Sequence, residues 1–131
     1  MEIKDYIQIP YKWNGYTVEG CDCYGLLVLW FKTELKIQLL NYKYESNHYS
    51  EVLGSKVYLD GVHKEFQKVG AHEIQRNDVV LLRNEDNFHC GVVLDKYQFL
   101  HIMEKCGMAV SRLSRWQRQI IGFYRHKGLI K

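Results

Sequence analysis

Apolar residues follow two different periods along the chain, and the change of period separates a helical first part from a strand-rich second part. The strongest helical segment runs from Asp22 to about Lys36, where apolar residues occupy most sides, as in a buried helix. Residues 1–10 read as a short extended or helical lead-in, and residues 11–21 read as a turn-rich loop. Residues 48–68 carry apolar side chains at helical spacing, which predicts one or two amphipathic helices.

The second part consists of short apolar runs separated by turns, which predicts strands. Five strands are expected, at residues 78–83, 88–95, 97–104, 107–110 and 120–125. Their short connections favour an antiparallel meander. Helices that precede such a sheet indicate the α+β class, with N-terminal helices packed on a five-stranded antiparallel sheet.

Length and composition favour one globular domain, so we expect residues 1–131 to form a single unit. The chain has 47% hydrophobic and 25% charged residues, and it contains no repeat or low-complexity linker. No apolar run approaches the roughly 18 residues of a membrane-spanning helix, so no membrane span is expected. The first residues show no basic segment followed by an apolar one, which predicts synthesis in a cytoplasm without a signal peptide.

The formal net charge is only +3, but basic residues concentrate near the end of the sequence. Six basic residues and no acidic one follow residue 111: Arg112, Arg115, Arg118, Arg125, Lys127 and Lys131. A solvated face is the simpler interpretation, and an anionic polymer or protein surface is the alternative. We expect no nucleic-acid partner.

Asp22 and Cys23 open the buried helix and form the most informative pair in the sequence. Aspartate is a favoured N-cap residue, and the partial positive charge of a helix N-terminus stabilises a thiolate. Downstream, His89 precedes one apolar run and His101 lies within another. One cysteine with distant histidines that the fold can bring together is the pattern of a cysteine nucleophile and its base.

The other cysteines and histidines indicate no metal site. Cys21 and Cys23 with His89 and Cys90 can be imagined as a zinc site, but their spacing fits no standard pattern. We therefore expect no metal or other cofactor, and reduced thiols in a cytosolic chain. The remaining histidines are predicted to lie on the surface: His48, His63, His72 and His126.

Taken in order, these segments resemble the NlpC-type cell-wall peptidases, a bacterial and bacteriophage branch of the papain-like cysteine enzymes. The segments are Pro10-Tyr11-Lys12-Trp13-Asn14-Gly15, Asp22-Cys23-Tyr24-Gly25-Leu26, Asn77-Asp78-Val79-Val80-Leu81, His89-Cys90-Gly91-Val92-Val93, Phe99-Leu100-His101 and Gly122-Phe123-Tyr124-Arg125. They resemble the family's Pro-Tyr-x-Trp-Gly-Gly, Asp-Cys-Ser-Gly-Leu, Gly-Asp-Leu, His-Val-Gly-Ile and Phe-Ile-His motifs and a common terminal strand.

Two positions depart from the family pattern. Tyr24 stands where the family has a small serine, and its bulk is expected to reshape the pocket for the N-terminal residues of the substrate. Asn14 stands where glycine is usual. Residues 40–72 also exceed what a minimal family member needs, which suggests a groove cap or a partner-binding segment.

The resemblance implies a role for each candidate residue. Cys23 would be the nucleophile, His89 its general base and His101 the residue that orients His89. Tyr11 would donate to the oxyanion or line the substrate groove, and Asp22 would cap the helix and help to hold a substrate amine.

The implied activity is hydrolysis of peptidoglycan stem peptides, between D-glutamate and a diamino acid or at a nearby link. Single-domain relatives occur in bacteriophage tails, so tail or baseplate proteins are expected partners, in the virion or at the periplasm and cell wall. The rival hypothesis is a catalytically silent assembly protein of the tail tip or baseplate. A thiol-dependent acyltransferase on the same scaffold is a third alternative.

Overall fold

The computed structural model describes residues 1–39, 65–84 and 87–130. These residues form two helices and eight strands: α1 Ile3–Ile7, β1 Tyr16–Thr17, β2 Gly20–Cys21, α2 Cys23–Leu35, β3 Phe66–Val69, β4 Val79–Asn84, β5 Asn87–Val93, β6 Gln98–Met103, β7 Gly107–Arg112 and β8 Ile120–His126. Short 3₁₀ turns follow β7 at Leu113–Trp116 and β8 at Lys127–Leu129. The α+β class predicted from the sequence is confirmed, and no helix in the described ranges is long and apolar enough to cross a membrane.

The main sheet has six antiparallel strands in the order β3-β8-β4-β5-β6-β7, so the expectation of five strands was wrong. The additional strand, β3, falls where the helical spacing of residues 48–68 predicted a helix. It pairs with the last strand, Phe66 opposite His126 and Val69 opposite Phe123. This distant partner decides the conformation, because four residues carry little periodicity of their own. Residues 48–64 lie outside the described ranges.

Helix α2 follows the sequence prediction closely. Asp22 is its N-cap and Lys36, with a left-handed φ of 58°, is its C-cap. Every residue from Cys23 to Phe31 is buried, which explains the apolar character on all sides. The helix packs against β5 and β6 on one face of the sheet and also against β1.

Both faces of the sheet are buried, and β4 shows this most clearly. Val79 and Leu81 join the larger apolar cluster that includes α2, whereas Val80 and Leu82 join a smaller cluster on the other face. Alternate side chains of a strand point to opposite faces, so a continuous apolar run such as this one belongs to a strand covered on both sides. The smaller cluster is completed by Leu113 in the 3₁₀ turn after β7.

The basic segment near the end of the sequence is only partly a solvated face. Arg112, Arg115 and Arg118 are exposed, but Arg125 donates to both carboxylate oxygens of the buried Asp78 at 2.8 and 2.9 Å. The Asp78 hydrogen bonds and charge raise the pKa of Arg125, so this guanidinium stays charged. Arg125 is therefore a structural residue that joins β8 to the start of β4.

One histidine expected at the surface is instead packed into the fold. The ring of His126 contacts Phe31 and Phe66, and its Nε2 lies 3.2 Å from a carboxylate oxygen of Glu65. His126 was misassigned because strand β8 brings it onto β3, a pairing that its local sequence does not signal. His72 is exposed as predicted, while His48 and His63 lie outside the described ranges.

Candidate active site

The start of α2 is organised around the carboxylate of Asp22, which is fully buried. One oxygen accepts a hydrogen bond of 2.8 Å from the backbone N–H of Gly25, and the other accepts one of 2.9 Å from Asn14. These bonds satisfy an amide donor of the first helical turn and fix the preceding loop. Cys23 is the first residue of the helix and only 6% exposed, which places its sulfur at the positive end of the helix dipole.

The loop before α2 depends on close backbone contacts. A Cβ atom on Gly25 would collide with the carbonyl oxygen of Gly15, so glycine is required where the loop crosses the helix. Asn14 has a φ of 60°, in the left-handed region that glycine and asparagine tolerate best. Asparagine at this position can therefore adopt a backbone conformation that the family's glycine would also allow.

Three side chains from neighbouring strands form a hydrogen-bonded chain. The Nε2 atom of His89 on β5 lies 2.9 Å from Nδ1 of His101 on β6. The Nε2 atom of His101 lies 2.7 Å from the hydroxyl oxygen of Ser111 on β7. His89 therefore uses one ring nitrogen for His101, and its Nδ1 is the nitrogen left for proton transfer.

Aromatic rings surround the two histidines. The ring centroid of His101 is 4.4 Å from that of Phe99 and 5.2 Å from that of Trp116, and Trp116 also lies 6.2 Å from His89. His101 is fully buried, and burial together with the neighbouring His89 lowers its pKa from 6.5 to about 3. His101 is consequently neutral at physiological pH, with one N–H and one acceptor nitrogen.

The histidine strands approach the start of α2 through Cys90. Its thiol lies 3.4 Å from the backbone carbonyl of Cys23 and points toward that oxygen as a donor. The next residue, Gly91, allows β6 to come close, because a Cβ there would lie 2.7 Å from the Leu100 carbonyl and 3.1 Å from the Cβ of His101. This contact between the Cys90 side chain and the Cys23 backbone places strand β5 beside the start of α2.

The two tyrosines predicted at the site have different environments. Burial and the nearby Asp22 and Cys23 raise the pKa of Tyr11 to about 12, so its phenol remains a hydrogen-bond donor beside the cysteine. Tyr24 is only 1% exposed and belongs to the core. Its influence on a substrate pocket stays a prediction.

The cysteines do not assemble with other ligands. Among the described residues no three or more His, Cys, Asp and Glu side chains are grouped so that they could hold a metal ion. Cys21, Cys23 and Cys90 are buried, whereas Cys106 is exposed in the turn between β6 and β7. The roles assigned to Cys23, His89 and His101 involve acid–base and nucleophilic chemistry that these side chains can supply themselves.

Sequence reasoning did not find Ser111, Phe99 or Trp116. Phe99 and Ser111 face each other across β6 and β7, so both lie on the same face as His101. The period of two in residues 98–103 carries part of this signal, since it places Phe99 beside His101. The register between β6 and β7, which the sequence does not specify, supplies the rest.

Comparison with known proteins agrees with this fold. Residues 8–125 match the NlpC/P60 family. Two structures from this family align with 92% of the chain: one similar to lipoprotein from Staphylococcus aureus subsp. aureus Mu50 (20% identity, TM-score 0.66) and one from Bacillus cereus ATCC 10987 (16%, 0.67). The chain spans only 37% and 36% of those two proteins.

A third structure, the NlpC/p60 domain of the peptidoglycan hydrolase SagA, also aligns with 92% of the chain. Its identity is 16% and its TM-score 0.59, and 89% of that domain is covered. Comparison with curated proteins gave no match. The family match extends over most of the described elements, from the loop before α2 to strand β8, and the chain belongs to the NlpC/P60 family.

Proposed function

We propose that the chain is a cysteine peptidase that hydrolyses peptidoglycan stem peptides. The observation that carries this proposal is the hydrogen-bonded pair His89–His101, held on strands whose Cys90 contacts the backbone of Cys23 at the start of α2. Family membership and the likeness to the domain of a peptidoglycan hydrolase support the same activity.

In the first step, His89 would act on Cys23. The thiol proton passes to Nδ1 of His89, and the sulfur attacks the carbonyl carbon of the scissile peptide. A carbon–sulfur bond forms, and the resulting oxyanion takes a negative charge. The helix dipole at Cys23 and the imidazolium of His89 both favour the thiolate that this step requires.

The second step releases the amine and then the acid. The carbon–nitrogen bond breaks while His89 returns its proton to the leaving nitrogen, which leaves a thioester on Cys23. His89 then takes a proton from water, the hydroxide attacks the thioester, and breakage of the carbon–sulfur bond regenerates the cysteine. His101 holds the His89 ring in one orientation throughout both steps.

Two donors are proposed to stabilise the oxyanion. The backbone N–H of Cys23 lies in the first turn of α2, where amide groups point out of the helix end. The phenol of Tyr11 keeps its proton because its pKa is raised to about 12. We propose that one or both donate to the developing negative charge. Asp22 is proposed to hold a substrate amine in addition to capping the helix.

The resemblance to the family also leads us to propose the bond and the setting. The proposed bond links D-glutamate to a diamino acid in the stem peptide. The proposed setting is a bacteriophage tail, where the chain would act with tail or baseplate proteins on the periplasm or cell wall. Mass spectrometry of purified particles tests the setting, because it must detect this chain among the tail proteins.

A non-catalytic assembly role is the second candidate, and one observation favours it. Cys23 is 6% exposed and His89 8%, so the candidate nucleophile and base are both largely covered in this structure. A substrate must therefore reach them through a small opening or after local movement. If the covering persists in solution, the chain would serve as a structural module of a larger assembly.

Digestion of stem peptides separates these candidates. The native protein, Cys23→Ala and the control Cys106→Ala are incubated with peptidoglycan fragments, and the products are identified by mass spectrometry. Cleavage by the native protein and by Cys106→Ala, but not by the correctly folded Cys23→Ala, supports the peptidase. Intact fragments in all three samples favour the assembly role. Products joined to an added amine acceptor instead of water would indicate an acyltransferase.

A further inference from the structure

We propose that Ser111 is a positioning residue whose hydroxyl accepts a hydrogen bond from Nε2–H of His101 and so keeps His89 able to act as a base. This inference rests on the proposed function, because it assigns a partner to the same cysteine–histidine site. The supporting observation is the 2.7 Å contact between Ser111 on β7 and His101 on β6, in a part of the site where His101 is fully buried.

The argument starts from the single proton of the His101 ring. Burial and the neighbouring His89 lower the pKa of His101 to about 3, so one ring nitrogen donates and the other accepts at neutral pH. Both nitrogens have a close partner: His89 at Nδ1 and Ser111 at Nε2. The two hydrogen bonds are therefore linked, and the direction of one fixes the direction of the other.

Only one direction permits catalysis by His89. When His101 carries its proton on Nε2 and donates to Ser111, its Nδ1 accepts from Nε2–H of His89. Nδ1 of His89 can then receive the thiol proton, and the resulting imidazolium remains hydrogen-bonded. In the opposite direction His101 donates to Nε2 of His89, which puts the His89 proton on Nδ1 and removes the base.

Serine suits this position because a hydroxyl can accept in the competent state. Without it, the competent tautomer would leave a buried N–H of His101 without a partner, whereas the other tautomer would leave only an acceptor nitrogen. Removing the hydroxyl therefore shifts His101 toward the incompetent tautomer. Removing the hydroxyl also makes the protonated form of His89 less stable. The thiolate–imidazolium pair would therefore exist over a narrower range of pH.

Among the described residues, few charged or titratable groups surround the hydrogen-bonded side chains of His89, His101 and Ser111. Cys23 and Tyr11 lie on the side of α2 and the preceding loop. Beyond Ser111, the exposed Arg112 and Arg115 line a small polar groove.

The test measures alkylation of Cys23 by iodoacetamide as a function of pH, in a Cys106→Ser background, together with ¹⁵N spectra of the histidine rings. Ser111→Ala is compared with the conservative Ser111→Thr and with Ser114→Ala, an exposed serine three residues later. We expect Ser111→Ala to react about tenfold more slowly at neutral pH, the loss that follows from one missing hydrogen bond to a charge-bearing pair. The pH at which its alkylation rate rises should be higher than in the parent protein, because the thiolate is less stabilised, and Ser111→Thr and Ser114→Ala should resemble the parent protein.

The ¹⁵N spectra decide the proposal even if Ser111→Ala does not fold. In the parent protein His101 must be protonated on Nε2; protonation on Nδ1 overturns the proposal. An unchanged rate and profile in folded Ser111→Ala overturns it as well. A Cys23 that reacts no faster than a free cysteine below neutral pH in the parent protein would instead contradict the proposed peptidase, whatever the tautomer of His101.

Discussion

Two polar networks on the sheet have opposite character. On β4 and β8, Asp78 and Arg125 form a charged pair with two short bonds, and Arg125 also donates to the Glu73 carbonyl at 2.9 Å. On β5, β6 and β7, His89, His101 and Ser111 form a chain built around a neutral imidazole. The first network holds permanent charges, whereas the second holds a proton that can move.

The difference shows how one sheet separates stability from chemistry. A buried carboxylate and guanidinium are costly to leave unpaired, so each enforces the position of the other. The imidazole chain fixes its members less strongly, but a proton can change from one ring nitrogen to another while the His101 ring stays neutral. Substitutions in the charged pair should therefore change unfolding, and substitutions in the imidazole chain should change reactivity.

The largest effect is expected for His89→Ala. Loss of the proposed base should lower kcat/KM for stem-peptide cleavage by about a thousandfold, with little change in the free energy of unfolding. Steady-state kinetics and urea unfolding measure the two quantities. His72→Ala, an exposed histidine, is the matched control and should behave as the parent protein. Retained activity in His89→Ala would show that the network of His89, His101 and Ser111 does not carry the chemistry.

Arg125→Ala should have the opposite profile. It leaves the buried Asp78 without its cation, so the free energy of unfolding should fall by about 3 kcal/mol. Activity per folded molecule should stay within about twofold. Urea unfolding measures the loss, and Arg118→Ala, which removes an exposed arginine, should cost less than about 0.5 kcal/mol. Equal losses of unfolding free energy in the two variants would show that the Asp78–Arg125 pair stabilises the fold no more than an exposed arginine does.

His101→Ala should reduce kcat/KM by at least about tenfold, equivalent to roughly 1.4 kcal/mol of transition-state stabilisation. The reason is that His89 loses the partner of its Nε2 atom and with it a fixed ring orientation. Kinetics normalised to folded protein measure the effect. A smaller loss would show that His101 does not orient His89, and the second network would then be structural like the first.

A pH dependence of stability is also expected, and it develops gradually over several pH units. The pKa of His101 is lowered to about 3 in the folded chain, against 6.5 ordinarily, so the unfolded chain binds a proton first as pH falls. His101 therefore contributes stability above about pH 6.5 that is lost between pH 6.5 and 3, with a slope of up to about 1.4 kcal/mol per pH unit. Urea unfolding at several pH values should show a shallower slope in His101→Gln. An identical slope would contradict the burial of a neutral ring.

Local pattern predicted the elements whose conformation depends on nearby residues. The bounds of α2 follow from Asp22, the apolar run and the residues after it, and the strands from β4 to β8 follow from runs and turns. Strand β3 was missed because its partner lies far away in the chain, as was the packing of His126. At the site, motif and spacing indicated Cys23, His89 and His101, but Ser111 depends on the register of two strands.

Strand β8 lies between β3 and β4, although it is the last strand of the described chain. Sixty positions separate Phe66 from its partner His126. As the nascent polypeptide leaves the ribosome, β4 to β7 can pair in succession, whereas β3 has no neighbour until β8 has emerged. Phe66 thus stays available to chaperones until β8 has been synthesised, and a chain truncated before residue 120 would form a sheet that cannot recruit β3.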